Sequence, residues 1–216
     1  MPGPLVSRQL SRLLSVLRIE EAWPRAINAA DGGSASRTDM LIGNASVHSD
    51  AEILMYTIET SHAVSRLFSE LVDGTSGDAF ILNRGDIGLL RSLDKLSPAD
   101  ASTSANDGAT IAAHAQHVRY GLSLMNRWAR EGGNPFADAK WDEAWKTAAV
   151  DAATWDEIRN GLREETQRWL EMLRTPRDCG SIELTGMIGS VAHLAYHLGA
   201  IRQINKTVRG PREGTF

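Results

Sequence analysis

Apolar residues recur at helical spacing along most of the chain, and the pattern divides it into four long helices joined by irregular connections. Ser49-Asp-Ala-Glu52 opens the first: a serine followed three residues on by a glutamate satisfies the free N–H groups of a helix start. Leu54, Ile58, Leu67, Phe68 and Leu71 carry one stripe and Asp73-Gly74 ends it, so a helix is predicted over about 50–72. A second is predicted over 110–130. Thr110 caps it, Ile111, Val118, Leu122, Leu124, Met125 and Trp128 give it an apolar side, and Gly132-Gly133 stops it. Thr154-Trp-Asp-Glu157 repeats the capping pattern and opens a third helix. Its stripe is Trp155, Ile158, Leu162, Trp169 and Met172, and it runs to about Arg174, before Thr175-Pro176. After a turn at 178–181 the fourth is predicted from about Ile182 to Thr207. With no convincing strand, the expected fold is all-α, a four-helix bundle with long connections.

The connections have their own signals. Between 77 and 106, Gly85, Gly88, Ser97-Pro98 and a Ser-, Asn- and Gly-bearing run mark turns, while Ile87, Leu89, Leu90, Leu93 and Leu96 predict a short helix packed on the body. Between 134 and 153, Pro135, Phe136, Trp141 and Trp145 are anchors, so this connection is expected to pack, its tryptophans acting as plugs or lining a pocket mouth. Residues 1–47 read differently. Leu5 to Ile19 is a basic amphipathic stretch with Arg8, Arg12 and Arg18, followed by an Ala/Gly/Ser linker. That has the look of a transit peptide, but the reading adopted is a poorly ordered N-terminal extension, either an accessory tail or an over-extended start, with the working domain at 48–216.

The candidate chemistry sits on the fourth helix. His193 and His197 are one turn apart and share a face with Gly186, Ser190 and Ile201, beside the apolar stripe of Leu194 and Leu198. They point to the core, and the small residues one turn earlier leave room beside them. Two imidazoles so stacked can share a metal ion; the alternative is a pair of hydrogen-bonded core histidines. The second helix supplies His114 and His117, about 60° apart on the wheel, of which at least one reaches the core. Glu165 interrupts the stripe of the third helix, and Glu59 lies within a turn of His62, which is expected at the solvent edge. Either carboxylate is a candidate to orient a ligand from behind.

Composition narrows the classes. The chain of 216 residues has a net charge of -4, which gives no electrostatic basis for binding nucleic acid. No apolar run approaches the ~20 residues of a membrane span. The lone Cys179 forms no internal disulfide, which suits a cytoplasmic protein. It is also the only thiol, and nothing places a histidine beside it.

Taken together, His114-Ala-Gln-His117-Val-Arg-Tyr-Gly-Leu and His193-Leu-Ala-Tyr-His197-Leu-Gly-Ala-Ile-Arg-Gln-Ile resemble the DinB/YfiT-like family over about 49–216. The resemblance implies a four-helix bundle, commonly a homodimer, in which one histidine of the second helix and two of the fourth bind a divalent metal. Carried over, the ligands are His117, His193 and His197, with His114 the alternative on the second helix. The metal is zinc, nickel or iron, since imidazole suits each. The family includes transferases and isomerases using a low-molecular-weight thiol such as mycothiol or bacillithiol. A thiol transfer to a small electrophilic substrate is therefore the first functional expectation. In that case Arg119, Arg202 and Gln203 would receive the polar groups of the thiol. Metal-dependent hydrolysis is the second expectation, and a non-catalytic, stress-related metal-binding module the third. The last predicts that no pocket reaches the histidines.

Overall fold

Each long apolar stripe lies on a helix of the computed structural model, which describes residues 49–211, with side chains from Ile58 onward. The expected extension at 1–47, the tail at 212–216 and the side chain of Leu54 lie outside the described residues. The helices are α1 (Ser49–Asp73), α2 (Gly88–Asp94), α3 (Pro98–Ala101), α4 (Ile111–Glu131), α5 (Trp141–Ala144), α6 (Ala152–Arg174) and α7 (Ser181–Ile204), followed by a 3-10 turn, Lys206–Val208. The only strand-like pairing among the described residues is an isolated bridge between Ser104 and Thr110, so the fold is all-α. No described helix is long and apolar enough to cross a membrane.

Local chemistry sets the helix ends. Thr110 caps α4 as predicted, its hydroxyl accepting from Ala113 N–H. The third long helix starts earlier than Thr154. Asp151 is its cap, with a carboxylate oxygen 2.8 Å from Thr154 N, so Thr154 falls inside the first turn. A carboxylate caps as well as a hydroxyl and adds a favourable interaction with the helix dipole. Ser97-Pro98, read as a turn, instead starts α3: Ser97 Oγ accepts from Asp100 N–H and the Asp100 carboxylate accepts from Ser97 N–H, with proline at the first helical position. The fourth helix ends at Ile204 and not at Thr207. Asn205 is extended (φ -121°, ψ 109°) and its side chain caps the following 3-10 turn by accepting from Thr207 N–H.

Each long helix packs mainly on two others: α6 on α4 and α1, and α7 on α1 and α4. Phe68 and Leu71 of α1, Leu89 and Leu93 of α2, Ile111 of α4, Leu162 and Leu173 of α6, and Leu194, Leu198 and Ile201 of α7 are fully buried between them. The two buried indoles of α6 both find acceptors. Trp155 Nε1 donates to the Leu96 carbonyl at 3.0 Å, and Trp169 Nε1 donates to Ser190 Oγ at 2.9 Å. Ser190 in turn donates to the Met187 carbonyl at 2.7 Å. This chain pins α6 to α7 one turn before His193.

The connection from α1 to α2 is held by two buried carboxylates. Glu70 accepts from the N–H groups of Phe80, Ile81 and Leu82 at 2.9, 2.7 and 2.6 Å. Asp86, 1% exposed in its side chain, pairs with Arg202 at 2.6 Å and accepts from Gly88 N–H. Gly74 and Gly88, both at positive φ, pack backbone against backbone. A Cβ on Gly74 would lie 2.3 Å from the Asp86 carbonyl oxygen, so only glycine fits there. The connection is thereby fixed to the C-terminal end of α7.

Candidate metal centre

His114 and His117 are three residues apart on α4, His193 and His197 four apart on α7, and the two helices pack face to face. All four imidazoles meet in the resulting seam. His117, His197 and His114 are 0%, 1% and 8% exposed, and His193 is half-buried. His193 Nε2 stands 2.9 Å from His197 Nε2 and 3.2 Å from His117 Nε2. The ligand atoms of His117, His193 and His197 all lie within 4.8 Å of one another.

This convergence fits a metal better than it fits mutual hydrogen bonds. A neutral imidazole nitrogen carries either a proton or a lone pair. His193 Nε2 faces two other nitrogens, and one such atom serves one of them well and not both. Three lone pairs aimed at a shared point form the donor set of a divalent cation. Nitrogens bound to one tetrahedral ion at 2.0–2.1 Å stand about 3.3 Å apart, close to the 2.9 and 3.2 Å separations. The residues present therefore fit the group.

The two histidines of α4 take different places. His117 belongs to the trio. His114 stands behind it, its Nδ1 2.9 Å from Nδ1 of His197. If His197 directs the Nε2 lone pair to a metal, its proton sits on Nδ1 and is donated to His114. His114 accepts only while neutral. Burial first, and then the neighbouring His117, hold its pKa down to about 4. Burial also pushes the pKa of His197 well below the usual range, helped by the three imidazoles around it. His114 and His197 are thus kept uncharged near neutral pH, as metal ligation by His197 and acceptance by His114 require.

Aromatic rings enclose the seam. Trp145, at the C-terminal cap of α5, stacks on His117 with centroids 4.2 Å apart and planes 20° apart, and meets His114 edge-on at 5.4 Å. Trp141 lies 5.5 Å from His117, and Tyr196 meets the His197 ring edge-on at 5.0 Å. The sequence marks Trp141 and Trp145 as anchors, but nothing in their spacing assigns Trp145 to His117. Beside His193 lies a cavity of about 50 Å³, lined by Val118, Gly121, Leu122, Met125, Phe136, Trp141, Gly189, Ser190 and Leu194 together with His193.

The other candidates lie elsewhere. Glu59 and His62 are exposed on α1. Glu165 accepts from Asn126 Nδ2 at 2.7 Å, which holds α6 to α4, and pairs with Arg168 of its own helix at 2.7 Å; neither partner is a histidine. Arg119 pairs with Glu157 at 3.2 Å, Arg202 with Asp86, and Gln203 with Arg209. The three polar side chains expected beside the site are thus engaged with neighbours of their own. Cys179 is half-buried, and burial followed by the nearby Glu183 pushes its thiol pKa up, which lowers its share of the nucleophilic thiolate.

Compared with protein families, with curated proteins and with solved structures, the chain matches none. Its class rests on its own geometry: an all-α protein with three buried or half-buried imidazoles gathered at metal-binding distance.

Proposed function

We propose that the chain is a metal-dependent enzyme of the DinB/YfiT-like type, in which α1, α4, α6 and α7 form a four-helix bundle and His117, His193 and His197 hold a divalent ion. The reaction is transfer of a low-molecular-weight thiol to a small electrophilic molecule. The observation that carries the reading is the meeting of three imidazole nitrogens in one seam. A divalent ion held by neutral ligands keeps its full charge and lowers the pKa of a thiol or water beside it.

The chain's own residues supply the rest. His114 orients the His197 ring through the Nδ1 contact and fixes its tautomer. Trp145 covers His117 and keeps water from that side. Imidazole ligands suit zinc, nickel and iron alike. A catalytic site keeps a way in, whereas a structural one is closed. The cavity ending at His193 supports the catalytic reading over a binding module without turnover. Its apolar walls offer an attacking water little to orient it, which favours thiol transfer over hydrolysis. A homodimer through the outer face of α7 belongs to the same reading: Ile188 and Tyr196 are exposed there, and no Asp, Glu, Lys or Arg occurs from Leu184 to Ile201.

The test is thiol transfer to monobromobimane by protein loaded in turn with zinc, nickel and iron(II). The expected result is a rate above that of the free thiol with at least one metal, abolished in His197→Ala. A rate equal to the uncatalysed one with all three metals overturns the proposal.

A further inference from the structure

The cavity beside His193 has a chemistry that the metal reading leaves unassigned. Val118, Leu122, Met125, Phe136, Trp141 and Leu194 make its walls apolar. Two of its polar side chains are already committed, and the third, Trp141, has its unpaired Nε1–H buried out of reach of water. Ser190 Oγ accepts from Trp169 and donates to Met187, and His193 Nε2 faces the other imidazoles. A hydroxyl or charge placed there would lose water and find no partner. His193, Trp141 and Gly189 keep partial exposure, so the cavity reaches the surface along that side. Its floor depends on missing side chains. A Cβ on Gly121 would lie 3.7 Å from the Trp141 ring and 3.9 Å from His193 Cε1, ordinary contact distances, and would fill the space between them. His193 Cε1 adjoins the Nε2 that faces the trio, so a group in the cavity lies next to whatever is bound at the histidines.

We infer that this cavity is the subsite for a short uncharged alkyl group carried by the molecule bound at the histidines. The inference rests on the metal reading for what that molecule is bound to. At about 50 Å³ the cavity holds a few heavy atoms and not an aromatic ring, which takes a cavity of about 150 Å³. The site therefore selects for a small aliphatic tail and against polar tails of the same length.

The full chain tests this in two arms. In metal-free protein, xenon NMR reads the cavity alone, because dry apolar cavities take up xenon. A saturable shift is expected, and its loss is expected in Gly121→Ala. In cobalt(II)-loaded protein, the visible spectrum reads binding of hydrosulfide, propanethiol and mercaptoethanol. The last two differ only in a methyl against a hydroxyl. A buried methyl favours binding about fourfold and an unpaired hydroxyl opposes it by a further factor, so propanethiol is expected to bind at least tenfold more tightly. In Gly121→Ala that preference should shrink to about twofold while hydrosulfide binds as before. Met125→Phe fills the same cavity and repeats the test if Gly121→Ala does not fold. No saturable xenon shift, or equal affinity of the two thiols on bound cobalt, overturns the subsite and leaves the metal centre standing. Failure to bind cobalt overturns the metal reading, and with it the assignment of the cavity to a metal-bound molecule, even where xenon enters.

Discussion

His114 separates the account of the site from a plain list of histidines, and replacing it gives a measurable middle result. In His114→Ala the Nδ1 proton of His197 loses its acceptor in a seam where His197 is 1% exposed. Losing the partner of a metal-bound imidazole costs about 10- to 100-fold in affinity, or roughly 1.4–2.7 kcal/mol. The cost of leaving a buried N–H unpaired, about 1–3 kcal/mol, spans the same range by a separate route. His114→Asn can place an amide oxygen near the position of Nδ1 and should recover most of the loss. His117→Ala, by contrast, removes a member of the trio and should abolish tight binding. The assay is competition for zinc with a chromophoric chelator. Saturating metal should still give His114→Ala the stoichiometry of the wild type. An unchanged affinity in His114→Ala refutes the orienting role. A loss as large as that of His117→Ala refutes it differently, by making His114 a ligand.

The remaining predictions concern the frame around the site. His114 has a folded pKa of about 4 against 6.5 in the unfolded chain, so between these values the unfolded chain binds more protons. Metal-free stability is then fully present above about pH 6.5 and declines towards pH 4, by up to about 3 kcal/mol; a urea midpoint that falls equally in His114→Phe contradicts this. Asp86→Ala strands the Arg202 guanidinium, only 14% exposed in its side chain, and should cost about 3–5 kcal/mol in denaturant unfolding; a loss under about 1 kcal/mol would show the pair to be dispensable. Ser190→Ala leaves Trp169 Nε1 buried without its acceptor and should cost about 1–3 kcal/mol, with metal stoichiometry unchanged, since Ser190 touches the indole and not the trio. A Trp169→Phe background should erase most of that cost in a double-mutant cycle.

The four long helices were legible because each buries a broad stripe, and a stripe of Trp155, Ile158, Leu162 and Trp169 admits one period only. Their ends were less so. Asp151 and Thr154 are both good caps three residues apart, and the choice depends on how the preceding connection arrives. The pair His193 and His197 was readable from spacing alone. The roles of His114 and His117 were not, because both fit within the face that α4 turns to α7. Which one meets the trio is set by the rotation of α4 against α7, a tertiary quantity. Glu165 shows the same limit from the other side. Its position on the stripe marked it as a candidate, and it satisfies its carboxylate with Asn126 and Arg168. Trp145 was legible as an anchor and no further, since a residue in an irregular connection has no period by which to place it over His117.

Metal content, measured by mass spectrometry on untagged protein incubated in turn with zinc, nickel and iron(II), tests the central claim most directly. The account predicts close to one ion per chain in the wild type and close to none in His117→Ala, His193→Ala or His197→Ala, each with the helical content of the wild type. A wild type that takes up none of the three metals, or a His197→Ala variant that keeps its ion, contradicts it.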